Sequence, residues 1–72
     1  MLLTDLQKKT IEQMNTGDDT TLGGPAVGEN IRYEIRRLTD HEYKVCIFDR
    51  MVRLDEDYFQ TTSQVIAYIE TY

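Results

Sequence analysis

A single cysteine, Cys46, leaves no internal disulfide to form, and a single histidine, His41, leaves too few soft ligands for a tetrahedral zinc site. Two of the usual staples of a small scaffold are therefore missing, and 72 residues leave room for one domain with one core. Oligomerisation or partner binding is the remaining support. Ser63 is the only serine and sits in a helix-start motif, so no hydrolase triad can be assembled. No stretch approaches the roughly 20 apolar residues of a membrane span. The Met1-Leu2-Leu3 start runs straight into Thr4-Asp5, without the basic and apolar regions of a signal peptide. A soluble, cytoplasmic protein with no membrane partner is expected.

Thirteen acidic residues against eight basic ones give a net charge of -5, which favours solubility and opposes nonspecific attraction to nucleic acid. Thr4-Asp5-Leu6-Gln7 fits a capping box, in which a threonine oxygen and a glutamine side chain satisfy each other's backbone N–H groups. Leu3, Leu6, Ile11 and Met14 then fall near one helical face, and Gly17 suits a helix end, predicting a helix over 5–15. Residues 16–30 supply turn formers without periodicity and read as a long flexible loop, with only a weak signal for an extended piece at Thr20–Leu22.

From Ile31 to Leu38 apolar and charged residues alternate, with Ile31, Tyr33 and Ile35 on one face and Arg32, Glu34 and Arg36 on the other. Thr39–Glu42 has turn composition, and Tyr43, Val45 and Ile47 then alternate with Lys44, Cys46 and Phe48, which completes a hairpin. After a turn at Asp49-Arg50, Met51–Leu54 reads as a short third strand with Val52 and Leu54 inward, ended by the acids Asp55, Glu56 and Asp57. Thr61-Thr62-Ser63-Gln64 is a second capping box, and Val65, Ile66, Ile69 and Tyr72 form the stripe of a helix over 62–71. The expected fold is α+β: helix, long loop, three-stranded antiparallel meander, helix, with both helices on one face of the sheet.

That arrangement puts Arg32, Arg36, Lys44 and Arg53 on the uncovered face with Phe48, Met51 and Cys46, and Arg37 and Arg50 near its edges. Such a face could grip phosphates and stack a base, dock on an acidic protein patch, or simply be solvated with Glu34 pairing to a cation. Helix, three strands and helix is also the order of double-stranded RNA-binding domains, which this chain resembles in element order alone. Thr61–Gln64 carries no lysine where that family clusters them, and it follows three acids.

The remaining motif candidates fall to single residues. Gly23 and Gly28 have phosphate-loop spacing, but Glu29 and Asn30 stand where lysine and serine or threonine are needed. The acids at 55–57 lack the glycine and glutamate of a calcium loop, since Gln60 and Ile66 occupy those positions. They serve instead to stop a strand, or as an acidic docking patch. Cys46 has apolar neighbours and no histidine base; Tyr58 and Phe59 either pin the last helix to the sheet, the expected role, or stay on the surface as anchors.

No catalytic constellation, metal site or cofactor motif is present, so the sequence points to a non-catalytic inhibitor, regulator or adaptor that binds a macromolecular partner, most simply a protein. Small acidic single-domain proteins of this kind are frequent among phage and mobile-element products that block a host machine, which is a class analogy. The expected contact residues are Arg32, Arg36, Lys44, Phe48, Met51, Arg53, Asp55, Glu56, Asp57 and Tyr58. A nucleic-acid module using the basic face is the second reading, and a homodimer stays open.

Overall fold

Two capping boxes set where the helices begin in the computed structural model, which describes residues Met1–Tyr72. Thr4 Oγ1 accepts from Gln7 N at 3.1 Å while Gln7 Oε1 accepts from Thr4 N at 2.9 Å, starting helix α1 (Asp5–Glu12). The same reciprocal pair at Thr61 and Gln64 starts α2 (Thr62–Thr71). Helix α1 stops at Gln13, short of the expected residue 15, and Met14 N turns back to Ile11 O at 3.3 Å.

Leu3, Ile11 and Met14 are buried, whereas Leu6 is 74% exposed and does not belong to the apolar stripe. Five residues separate it from Ile11, which carries it about 140° around the helix.

The sheet has four strands, not three: β1 (Asp19–Gly23), β2 (Ile31–Thr39), β3 (Glu42–Asp49) and β4 (Val52–Phe59), paired antiparallel in sequence order. The extra strand lies inside the segment read as a loop. Its weak sequence signal has a physical reason: only Leu22 of its residues is buried, and its register depends on β2, with Leu22 opposite Tyr33 and Thr21 opposite Glu34. A 3-10 turn (Pro25–Val27) completes the connection to β2. Gly23 is required there at φ 70°, because an added Cβ would lie 2.6 Å from the Ile31 carbonyl oxygen.

The acids at 55–57 do not stop the last strand; it runs through them to Phe59. Nor are Val52 and Leu54 buried. Ile47 faces Asp55 but Phe48 faces Arg53, so Leu54 is the extra residue of a β-bulge, and Val52 is 63% exposed at the hairpin tip.

One apolar cluster holds these elements together. Leu22, Tyr33, Ile35, Tyr43, Val45 and Ile47 rise from one face of the sheet to meet Leu3, Ile11 and Met14 from the α1 side and Val65 and Ile69 from α2. Each fully buried isoleucine contributes roughly 1.5–3 kcal/mol relative to an exposed one. Both helices therefore cover the same face, as the alternation in β2 and β3 requires. Helix α2 packs on β3 and β4, and α1 lies beside α2. Their ends are tied by Leu3 N donating to Glu70 Oε2 at 3.2 Å and by Lys8 Nζ, 3.9 Å from the same carboxylate. No helix is long and apolar enough to cross a membrane.

Candidate functional site

The uncovered sheet face is a lattice whose rows follow from strand register. Asp19, Arg36, Lys44 and Tyr58 lie side by side across the four strands; Thr21, Glu34, Cys46 and Glu56 form the next row; Gly23, Arg32, Phe48 and Arg53 form the third. Carboxylates of the middle row thus fall between two rows that carry cations. Seven of the ten expected contact residues share this face: Arg32, Arg36, Lys44, Phe48, Arg53, Glu56 and Tyr58.

Every cation on the face has a carboxylate partner. Arg36 Nε donates to Asp19 Oδ1 at 2.8 Å, and Lys44 Nζ and Arg53 Nη1 each lie 3.2 Å from Glu56 Oε1. Arg32 Nε is 2.9 Å from Glu34 Oε2, but its N–H is not aligned for a hydrogen bond, so that contact is an ion pair only. Four cations against three carboxylates leave a nearly neutral surface. The missed residue is Asp19, which the loop assignment had removed from the sheet.

Phe48 is half-buried, with the Arg32 guanidinium 4.5 Å from its ring centroid, and so is not an open stacking platform. A cavity of about 370 Å³ between Arg36, Lys44 and Cys46 is walled by these same paired charges.

Glu56 is the hub of the face. Hydrogen bonds from Cys46 and Lys44 hold its carboxyl below the usual carboxylate range, and in turn raise Lys44. Burial, then the hydrogen bond to Glu56, pushes the Cys46 thiol up, which keeps it protonated and weakly nucleophilic.

Met51, Asp55 and Asp57 are not on this face. Met51 is 91% exposed at the tip of the β3–β4 hairpin. There Val52 and Leu54 join it around an open depression of about 440 Å³ that Asp49 and Arg50 complete. Arg50 holds φ at 56°, the left-handed region, while its N–H donates to Asn30 O at 3.0 Å. Of the eight large apolar side chains left exposed, four are Met51, Val52, Leu54 and Tyr58, all on this hairpin. Leu54 was missed because a bulge, invisible to period-2 counting, shifts the parity of β4, and Val52 because its place opposite Asp49 lies at the hairpin tip beyond the core.

Tyr58 and Phe59 part company across the strand. Phe59 turns to the helix side, where its ring lies 4.8 Å from Tyr68, and does pin α2; Tyr58 stays exposed on the open face. Asp55 lies on the helix side, where it accepts from the Tyr68 hydroxyl. Burial, then that bond, pushes the Tyr68 phenol well above its usual range.

No protein-family model, curated protein or solved structure matches the chain.

Proposed function

We propose that the protein is a non-catalytic inhibitor, regulator or adaptor that engages a protein partner through the β3–β4 hairpin. The observation that carries this reading is the gathering of the exposed Met51, Val52 and Leu54 around the open depression at the hairpin tip. An apolar tip of this kind suits insertion into a hydrophobic pocket, where a few desolvated side chains supply most of the binding energy. Asp49 and Arg50 line the tip and neither has an ion-pair partner, so the complementary pocket offers charge of both signs at its rim.

The internal pairing of Arg32, Arg36, Lys44 and Arg53 counts against phosphate binding on the sheet. Each such contact would have to break an existing ion pair, on a protein whose charge repels polyanions.

The test is retention of a stoichiometric protein from nuclease-treated host lysate by wild type and by Met51→Glu, with Lys9→Glu as a surface control. Retention by wild type and the control but not by Met51→Glu is expected. Retention that disappears with nuclease, or that survives Met51→Glu together with Leu54→Glu, overturns the reading.

A further inference from the structure

The two outer strands of the sheet expose their backbones very differently. In β1 the bonds Gly24 N to Ile31 O and Arg37 N to Asp18 O fix the parity: residues 18, 20, 22 and 24 bond β2, and Asp19, Thr21 and Gly23 direct N–H and C=O outward. No side-chain acceptor closes those donors. In the stretch of β4 beyond its bulge the outward donors belong to Glu56 and Tyr58, and each is occupied: Glu56 N donates to Asp55 Oδ1 at 2.9 Å and Tyr58 N to Asp57 Oδ1 at 2.8 Å. Just beyond the strand, Gln60 N donates to Gln64 Oε1 at 2.8 Å. Strand β4 is self-capped, and β1 is open.

From this difference we infer that a second copy of the chain pairs antiparallel with β1 about a twofold axis at Thr21. Self-pairing there sets Thr21 opposite Thr21 and Asp19 opposite Gly23, so that each outward residue exchanges both backbone bonds with its counterpart and no like charges meet. Asp19 is already neutralised by Arg36. The same operation on β4 sets acid against acid in every central register, Asp57 on Asp57 or Glu56 on Glu56, and first requires the aspartate caps to be stripped.

Helix α1 sits beside α2, which covers β3 and β4. Lys8 faces α2 through Glu70, and Leu6, two residues earlier, lies about 160° around the helix, on the flank turned away from α2. Leu6 is also about 140° from the buried Ile11, so its side chain points largely into solvent. Pairing five-residue strands buries less surface than a standard interface, so the expected dimer is weak and concentration-dependent. The dimer is one continuous eight-stranded sheet with a β3–β4 hairpin at each end. It is independent of what the hairpin binds, since self-association and partner capture are read separately.

Sedimentation equilibrium from micromolar to millimolar protein tests the pairing. Wild type is expected to show a reversible monomer–dimer equilibrium. Thr21→Pro removes an outward donor that no monomer bond uses, and Thr21→Asp and Thr21→Lys each place like charges on the axis. All three are expected to weaken association roughly tenfold or more while leaving the monomer's circular dichroism intact. Mixing the Asp and Lys variants should restore a heterodimer. Wild type that stays monomeric at millimolar concentration, or dimers that survive all three substitutions unchanged, overturn the inference.

Discussion

Strands β1 and β4 are the two edges of one sheet, and they solve the edge problem by opposite means. Strand β4 is eight residues long and carries Asp55 and Asp57, whose side chains fold back onto its own outward N–H groups. Strand β1 is five residues long, bounded by Gly17 and by Gly23 and Gly24 at positive φ, and leaves its outward groups unoccupied. A long uncapped strand would template pairing with any extended chain, whereas a short one limits pairing to a partner that fits its few positions. The acids of β4 therefore protect an edge, and the shortness of β1 makes it selective.

The largest way to break this contrast lies within β1 itself. Thr20 N–H bonds β2 and Thr21 N–H does not, although the residues are adjacent and of one type. Thr20→Pro is expected to cost about 2 kcal/mol in urea unfolding, and Thr21→Pro to change the midpoint by less than about 0.5 kcal/mol. Equal costs would mean that the bonding parity is reversed.

On β4 the caps can be removed one at a time. Asp55→Ala loses both the Glu56 N–H cap and the partner of the Tyr68 hydroxyl, an expected cost of about 1.5–2 kcal/mol, while Asp57→Ala loses one exposed cap and costs less than about 1 kcal/mol. The double variant converts a closed edge into an open one, so light scattering should show concentration-dependent association that neither single variant shows.

Tyr68→Phe reports the same contact through pH. The folded-state pKa of Tyr68 is raised above its ordinary 10.0, so its contribution to stability is fully present below pH 10 and is lost as pH rises through the folded value. Thermal unfolding of wild type should fall more steeply above pH 10 than that of Tyr68→Phe, which at neutral pH is expected to be less stable by about 1 kcal/mol. Parallel alkaline profiles would show that the hydroxyl is free in solution.

Legibility from sequence followed how local each determinant is. Both helix starts were readable because Thr4 with Gln7 and Thr61 with Gln64 complete their hydrogen bonds within one turn. The strands β2 and β3 were readable because one face is buried along most of their length, so alternation survives. Strand β1 was not, since a single buried leucine leaves no period to count. The acids of β4 misled for a related reason: Asp55 is tolerated in a strand because Tyr68, thirteen residues later, supplies its donor.

The cations of the open face were placed correctly, but their character was not, because neutralisation of Arg36 depends on Asp19 across the unseen β1–β2 pairing. The hairpin tip was half legible. Met51 was expected on the open face and lies instead in the turn, and the bulge that places Leu54 outside the core was not visible.

The smallest expected effect contrasts the turns beside the two edges. Around β1 every residue at positive φ is glycine, whereas the turn into β4 places Arg50 there. A non-glycine residue in that region costs about 1–2 kcal/mol, partly offset by the greater freedom glycine has when unfolded, so Arg50→Gly should stabilise the fold by about 0.5–1 kcal/mol. Arg50 makes no ion pair within the chain and lines the depression beside Met51, Val52 and Leu54; the bond from its N–H to Asn30 O supports the conformation but would be kept by glycine, so the Arg50 side chain itself offsets none of the strain. Strain retained at an exposed, apolar tip is what a binding residue would show. Arg50→Gly should therefore raise the urea midpoint and weaken partner capture together. A variant that is more stable and binds as well as wild type would assign Arg50 no part in the contact and leave the apolar residues to carry it alone.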